Sequence, residues 1–225
     1  MALTEYKRKR RFGSTPEPAG GAKPPRGNSF VVQEHHATRL HYDFRLEVDG
    51  VMKSWAVPKG PSMNPGDKRL AIQTEDHPVE YASFEGVIPE GEYGGGTVMV
   101  WDQGTWTPES PEVNAALTKG DLKFTLHGKK LKGSWVLVRT HGWGSSPGKS
   151  WLLIKHRDRY TSTKDIAIDK PRSIVSNKLL AEIAREGGGD VEKAATGDPG
   201  FKPKKAVVPK KTPAPAKRLS RKSAK

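Results

Sequence analysis

A strict alternation of apolar and polar residues over positions 40–49 most restricts what this chain can fold into. The run reads LHYDFRLEVD, and it ends in an Asp-Gly pair, a strong two-residue hairpin signal, ahead of a second run over 51–57. Successive side chains of a strand point to opposite faces of a sheet. The sequence therefore predicts a hairpin whose first strand has one apolar and one polar face. The polar face carries His41, Asp43, Arg45 and Glu47.

Further short runs of the same kind predict more strands. They cover residues 29–33, 68–77, 97–102, 122–126, 134–140 and 151–155. Short strands separated by glycine-containing turns are typical of an antiparallel barrel or sandwich. We expect a mainly β fold, a small antiparallel β-barrel with flanking short helices and with tryptophans in its core. In the run 68–77, Arg69, Glu75 and His77 share one strand face.

Segments outside these runs carry other signals. Residues 84–96 are rich in glycine, but no Gly-Lys-Ser/Thr follows as in a phosphate-binding loop, so we expect a structural turn. Apolar residues at 174, 175, 179, 180 and 183 predict an amphipathic helix that ends before Gly187. Residues 1–28 are expected to form an irregular, partly flexible arm and residues 187–225 a disordered Lys/Ala/Pro-rich tail. The domain between them would span residues 29–186.

The positive charge of the chain is concentrated in its two ends. Of the formal net charge of +14, residues 1–27 hold +5 and residues 202–225 hold +10, so the segment between them has a net charge of −1. Flexible basic arms favour a polyanion as partner, because neutralising phosphates gives sequence-independent affinity. A non-catalytic, histone-like nucleic-acid-binding protein would have such a tail, and truncation after about Gly189 should abolish its binding.

Composition excludes several classes of protein. The chain has no cysteine, which excludes disulfides and thiolate metal sites. It has no apolar run long enough to span a membrane, and its first residues lack the apolar core of a signal peptide. We expect a cytoplasmic, nucleoid-associated monomer without a membrane partner.

Two imidazoles and a carboxylate at the start of the domain form a candidate metal site. His35, His41 and Asp43 are ligand types that suit a divalent transition metal such as Mn, Zn, Fe or Co, with open positions for a substrate. Arg45 and His77 beside such a metal suit a phosphate, whose oxygens take a Lewis acid and charge-assisted donors. Together these residues predict metal-assisted phosphoester hydrolysis.

Simpler explanations remain open for several of these residues. His-x-Asp also begins the ligand set of non-haem iron oxygenases, for which His127 or His141 would supply the second histidine. Lys59 suits an ordinary turn, and Glu75 suits an ion pair with a nearby arginine. His36 projects away from its neighbour in an extended chain, so we expect it to be a bystander.

Four motifs in order make the chain resemble the 3′-phosphoesterase domain of bacterial ATP-dependent DNA ligase D. They read QEHHATRLHYDFRLE, SWAVPKGP, EDHPVEYASFEGVIPEGEYGGG and WLLIKHRD, and the resemblance covers roughly residues 5–186. It implies a small β-barrel that removes a 3′-terminal ribonucleoside, and then the remaining 3′ phosphate, from primer strands in double-strand break repair by non-homologous end joining. It implies manganese as the preferred metal, with cobalt or zinc as alternatives.

The resemblance also implies roles for individual residues and a set of partners. His35, His41 and Asp43 would be metal ligands, and Arg45, His77 and Tyr81 would act on the phosphate. Lys59, Arg69, Gln33 and Glu75 would line the site, with Arg10 and Glu17 contributed by the N-terminal arm. Arg11 stands where the family usually has Asp. The partners would be DNA or RNA–DNA primer-template 3′ ends, with end-joining proteins such as Ku and a separate ligase, because polymerase and ligase domains are absent from this sequence.

Overall fold

Ten strands dominate the computed structural model, which describes residues 3–21, 27–140 and 148–201. The strands are β1 Ser29–His36, β2 Leu40–Val48, β3 Val51–Val57, β4 Lys68–Gln73, β5 His77–Pro78, β6 Gly86–Ile88, β7 Gly96–Pro108, β8 Asp121–Gly128, β9 Lys132–Arg139 and β10 Ser150–Lys155. The helices are short: α1 Thr4–Arg8, α2 Val113–Lys119, α3 Ile166–Asp169, α4 Leu180–Glu186 and α5 Val191–Ala195, with a 3₁₀ turn over Val79–Ser83.

Eight of these strands close into an antiparallel barrel. The order is β1-β2-β3-β4-β10-β9-β8-β7, and β7 pairs back to β1 to complete the ring. The two short strands lie off the ring, with β6 beside β7 and β5 beside β3. The expected mainly β barrel with short flanking helices is confirmed.

The hairpin that opens the barrel follows directly from its sequence. Val48 pairs with Val51, and the two residues between them have positive φ, 51° at Asp49 and 79° at Gly50. Positive φ at both central residues defines the type I′ turn, whose twist matches that of the strands, and Asp-Gly is a favoured pair there. The alternation then sends Phe44 into the core and leaves the polar residues of β2 on the outer face.

Aromatic side chains fill the barrel. Trp55, Trp101, Trp135 and Trp151 are fully buried and Trp106 is 3% exposed, which confirms the expectation that the tryptophans form the core. A barrel of eight strands is just wide enough for its side chains to fill it. A ligand must therefore bind on the outer face or at an end of the barrel, not within it.

The predicted continuous strand over 68–77 is wrong. Gln73 lies opposite Trp55, but His77 lies opposite Met52. His77 is four residues after Gln73, whereas Met52 is only three residues before Trp55. The extra residue acts as a bulge, which reverses the side-chain parity beyond it. His77 is therefore on the opposite face from the one that the alternation of β4 predicts.

The C-terminal helix is shorter than its apolar spacing predicts. It covers Leu180–Glu186, while Ile174 and Val175 precede it and Val175 is 60% exposed. Asn177 has a φ of 59°, a left-handed conformation that a right-handed helix does not contain. The spacing of the apolar residues in the sequence gives no sign of that interruption.

The expected disordered tail over 187–225 is wrong for residues 187–201. This segment forms α5, which buries Ala194 against the core. The Asp198 carboxylate then accepts hydrogen bonds from the free backbone N–H groups of Leu180 and Ala181 at the start of α4. The basic residues 202–225 lie outside the described residues.

The N-terminal arm is also more structured than its composition indicates. Residues 4–8 form α1, and Tyr6 is fully buried. The Tyr6 hydroxyl donates to the Pro18 carbonyl oxygen at 2.6 Å, which ties the arm back on itself. Within the described ranges, no helix has the length and apolarity needed to cross a membrane.

We predict that truncation after Gly189 destabilises the barrel relative to truncation after Phe201. The shorter chain loses α5 and the Asp198 cap of α4, and losing one helix cap costs about 1 kcal/mol. For a chain of this size that corresponds to a fall in Tm of about 2–4 °C or more. Thermal unfolding of the two truncated chains checks this, and equal Tm values would contradict the role given to residues 190–201.

Candidate metal and phosphate site

Two adjacent strands bring the three candidate metal ligands together on the outer face of the barrel. His35 on β1 lies directly opposite His41 on β2, and Asp43 is two residues further along β2. Asp43 Oδ2 is 3.6 Å from His35 Nδ1, and its Oδ1 is 3.7 Å from His41 Nε2. One potential ligand atom from each of the three residues lies within 4.8 Å of the others.

Backbone carbonyls select the tautomer of both histidines. The Nε2 of His35 lies 2.8 Å from the Gly94 carbonyl oxygen, and the Nδ1 of His41 lies 2.9 Å from that of Arg39. A carbonyl oxygen only accepts, so each of these nitrogens carries the proton in a neutral ring. The other nitrogen of each ring then has a free lone pair, and both lone-pair nitrogens are those nearest Asp43. Outer carbonyl groups orient metal-binding histidines in this way.

Asp43 is held in its ionised form. Burial of the carboxyl would raise the pKa of Asp43, but the Arg45 guanidinium holds that pKa well below its usual range. Arg45 Nη2 donates to Asp43 Oδ2 at 3.0 Å. Two neutral imidazoles and one carboxylate fit a divalent transition metal of the manganese, iron, cobalt or zinc type.

Arg45 is a buried cation in a fixed position. Its side chain is 2% exposed, and besides Asp43 it donates to Gln33 Oε1 at 2.9 Å and to Ser54 Oγ at 2.8 Å. The guanidinium carbon lies 5.0 Å from the centre of the Tyr81 ring. These contacts orient the guanidinium beside the candidate metal ligands and leave part of its donor capacity for an anion.

His77 lies between two guanidinium groups. Its Nδ1 is 2.9 Å from Arg45 Nη1 and from the Glu75 carbonyl oxygen, and its Nε2 is 3.1 Å from Arg10 Nη2. Burial and the two arginine charges lower the pKa of His77 well below its ordinary value, so the ring is neutral. A neutral imidazole accepts only one hydrogen bond, so one of the two arginines keeps a free N–H for an anion at this point.

The N-terminal arm supplies the second of those arginines. Arg10 is 5% exposed and forms ion pairs with Glu17 at 2.8 Å and Glu75 at 3.1 Å. Its guanidinium carbon lies 3.9 Å from the centre of the Tyr6 ring. The arm thus covers one side of the site and brings Arg10 and Glu17 to it. Glu75 forms an ion pair with Arg10, which is the alternative considered for Glu75 in the sequence analysis.

Tyr81 is oriented by the same arm. Burial and the Glu17 carboxylate raise the pKa of Tyr81 well above its ordinary value, so the phenol keeps its proton. It donates that proton to Glu17 Oε1 at 2.9 Å. Tyr81 therefore presents its ring, not its hydroxyl proton, to Arg45 in this structure.

These groups line a cavity of about 170 Å³ that has room for a phosphate but not for a whole nucleotide. Eight sequence-predicted residues line it: Arg10, His35, His41, Asp43, Arg45, Glu75, His77 and Tyr81. Two more predicted residues lie behind this lining. Gln33 contacts Arg45, and Glu17 contacts Arg10 and Tyr81.

Two predicted residues lie elsewhere. Lys59 follows β3 in a turn and lines a separate cavity with Ile168. Arg69 lies on β4, on the strand face opposite to that of His77, and it forms an ion pair with Asp67 at 3.1 Å. The alternation of β4 cannot be extended through the bulge to His77, so their expected shared face is not formed.

The structure also adds residues that the sequence did not single out. Ser54 holds Arg45, and it is the direct cross-strand partner of Arg45 in the β2–β3 hairpin, so the register from the Asp-Gly turn could have found it. Tyr93 and Gly94 come from the glycine-rich loop. No periodic signal marks them, because loops follow no side-chain period.

The second histidine of an iron-oxygenase site is not supplied by His127. That residue lies on β8, where its ring contacts Thr107 Oγ1 at 3.3 Å and lines a different cavity. His141 lies outside the described residues. His36 lies on the side of the strand opposite to the metal ligands, as expected for an extended chain, and its Nε2 faces Thr196 there.

The comparison with protein families matches residues 33–139 to the family described as DNA Ligase D 3′-phosphoesterase domain. These residues are a DNA ligase D 3′-phosphoesterase domain. The matched part of this phosphoesterase domain contains His35, His41, Asp43, Arg45 and His77, together with the strands that position them.

Curated relatives extend the similarity of this phosphoesterase domain beyond the matched residues. The chain is 50% identical over 186 residues to the multifunctional non-homologous end joining protein LigD of Pseudomonas aeruginosa, covering 79% of this chain and 22% of that protein. It is 53% identical over 142 residues to the Mycobacterium tuberculosis LigD, covering 62% and 18%. A third relative, from Mycolicibacterium smegmatis, is 44% identical over 164 residues, covering 70% and 21%. The chain therefore spans about a fifth of the length of these relatives.

We predict that Arg10→Ala destabilises the phosphoesterase domain by about 3 kcal/mol, because it leaves the buried carboxylate of Glu17 without its cation. Chemical denaturation measures this loss. The double variant with Glu17→Gln should recover part of it, since the neutral amide no longer needs the pair. A double variant as unstable as Arg10→Ala alone would contradict the ion-pair explanation.

Proposed function

We propose that this protein is a divalent-metal-dependent hydrolase that trims DNA 3′ ends. It removes a 3′-terminal ribonucleoside, and then the 3′ phosphate, to leave a 3′ hydroxyl end for repair by non-homologous end joining. The observation that carries the proposal is the cluster of two lone-pair nitrogens and one carboxylate within 4.8 Å, beside the buried Arg45. The family of residues 33–139 supports the same reaction class.

His35 Nδ1, His41 Nε2 and Asp43 would hold the metal, and manganese is the ion we propose. When bound, a divalent ion supplies a Lewis acid for a phosphate oxygen and lowers the pKa of a water molecule toward neutrality. The Asp43 carboxyl is ionised, and in the neutral form of each ring the proton lies on the nitrogen that faces a backbone carbonyl, so the other nitrogen is free for the metal.

Arg45 and His77 would bind the phosphate that is hydrolysed. The guanidinium donates to an oxygen on which negative charge grows, and its fixed position avoids reorganisation during the reaction. Gln33, Ser54 and Asp43 hold that position from three sides. In the diester reaction, water adds to phosphorus and the nucleoside leaves with a proton on its 5′ oxygen. In the monoester reaction, the strand leaves with a 3′ hydroxyl.

The size of the cavity and the charge of the arms support a nucleic-acid end as the substrate. The cavity accepts the phosphate alone, so the strand and the terminal nucleoside must lie outside it. Residues 1–27 and 202–225 hold net charges of +5 and +10, which attract a nucleic acid in a salt-dependent way. The relatives are named as end joining proteins. We therefore propose DNA and RNA–DNA primer-template ends as substrates, with Ku and a separate ligase as partners.

We predict that a primer-template ending in a 3′ phosphate is hydrolysed with manganese and not with EDTA, and that His41→Ala abolishes the reaction. His127→Ala is the matched control, because that histidine is on the same barrel but away from the site. Calorimetric titration with manganese should show loss of binding in His41→Ala only. Hydrolysis that persists in EDTA would exclude the metal-dependent reaction, and DNA binding without any hydrolysis would favour the histone-like alternative.

Arg45→Ala should lower kcat by about 10²–10³-fold, as expected when one donor to a developing charge is lost. Its effect on manganese binding should be smaller than that of Asp43→Ala, because Arg45 only orients the ligand. Steady-state kinetics on strands ending in a ribonucleotide and in a 3′ phosphate measure both reactions. A variant with nearly unchanged kcat on both strands would contradict the role of Arg45.

A further inference from the structure

A second and larger cavity adjoins the candidate phosphate site. It is a groove of about 640 Å³ between the glycine-rich loop after β6 and the segment that joins α4 to α5. Ala37, Ile88 and Gly94 line both this groove and the cavity with the metal ligands. A molecule whose phosphate lies beside Arg45 can therefore place its next group in the groove.

Glycines form much of the walls of the groove. Among the residues that the structure describes, seven of those that line it are glycines: Gly91, Gly94, Gly95 and Gly96 on one side, and Gly187, Gly188 and Gly189 on the other. A side chain added at Gly91 or at Gly188 would meet no other atom within 4 Å, so a ligand can approach the peptide groups closely at these two positions. A flat ring can lie between two such walls. The volume exceeds what a phosphate needs and suits a ligand of nucleoside size.

The charge of the groove disfavours an anion. Three carboxylates line its described part, from Glu90, Glu92 and Asp190; Glu92 is paired with Arg11 at 2.8 Å, and the ammonium group of Lys193 also lines the groove, which leaves an excess of one negative charge. Like charges repel, so a phosphate group is more favourably placed beside Arg45 than here. The groove therefore suits a neutral polar molecule.

Among the described residues, a buried ring nitrogen without a partner belongs to one of those that line this groove. His36 is 9% exposed, and its Nε2 lies 2.8 Å from the Thr196 hydroxyl oxygen. That hydroxyl donates its only proton to the Lys193 carbonyl at 2.8 Å, so His36 Nε2 must be the donor to Thr196. The other nitrogen, Nδ1, then has a lone pair, and it is buried without a partner in the described part of the chain.

We propose that this groove binds the neutral nucleoside at the 3′ side of the scissile phosphate, and that His36 Nδ1 accepts a hydrogen bond from it. The donor is a hydroxyl or amino group, both of which nucleosides have. This inference rests on the proposed function, since it assigns a place to the group that leaves in the diester reaction. It also makes α5 part of the substrate site.

Two substitutions of His36 separate a binding role from a structural one. In His36→Gln, the longer side chain reaches the position of Nε2 and keeps the contact with Thr196, but it has no acceptor at the position of Nδ1. In His36→Asn, the shorter side chain offers its oxygen near the position of Nδ1 and does not reach Thr196. A residue that only fastens α5 would tolerate Gln better than Asn.

The readout is the ratio of kcat/KM for a strand ending in a ribonucleoside to that for a strand ending in a 3′ phosphate, which has no terminal nucleoside. We expect His36→Gln to lower this ratio about tenfold, the effect of one lost hydrogen bond, and His36→Asn to keep it within about twofold of the unsubstituted protein. The reverse order, or an unchanged ratio in His36→Gln, would overturn the proposal.

Binding of free adenosine to the full chain, followed by saturation-transfer NMR, tests the groove without any catalysis. We expect adenosine to bind, adenosine 5′-monophosphate to bind more tightly because its phosphate can lie beside Arg45, and His36→Gln to weaken adenosine binding about tenfold. If adenosine binds in this way but no strand is hydrolysed, the proposed function fails and the groove remains. If strands are hydrolysed but adenosine does not bind, the groove assignment alone fails.

Discussion

The buried ion pair between Arg45 and Asp43 is the interaction on which the rest of the site depends. Burying two charges is unfavourable unless each is paired and hydrogen-bonded. Here the guanidinium is held by Asp43, Gln33 and Ser54, and the carboxylate also faces two histidines. The pair keeps a cation available for phosphate and a carboxylate available for metal. It also fixes the distance between the guanidinium and the carboxylate.

The two ends of the folded chain close the site from opposite sides. The N-terminal arm brings Arg10 between Glu17 and Glu75, which adds a second buried cation next to His77. The C-terminal segment after α4 forms one wall of the groove beside the metal ligands. Segments whose composition indicates flexible arms thus become part of the site, because a few buried contacts offset the entropy lost in ordering them.

Much of the barrel and of the metal cluster could be predicted from local sequence. The alternation and the Asp-Gly turn fix the β2–β3 hairpin, and they place His41, Asp43 and Arg45 on one face. The predicted shared face of Arg69 and His77 is wrong, since the one-residue bulge after Gln73 puts them on opposite faces and depends on pairing with β3. The contributions of α5 and of Tyr93 were also missed, because short helices and loops bury too few side chains to leave a periodic signal.

The sequence by itself determined which side chains can do chemistry and on which face of β2 they lie, because strand parity is a local property. Only the tertiary structure decided their protonation and their neighbours. The carbonyl of Gly94 selects the lone pair of His35, and it comes from a loop 59 residues further along the chain. Contacts between segments far apart in the chain follow no period, so they arise only when the barrel closes β7 onto β1.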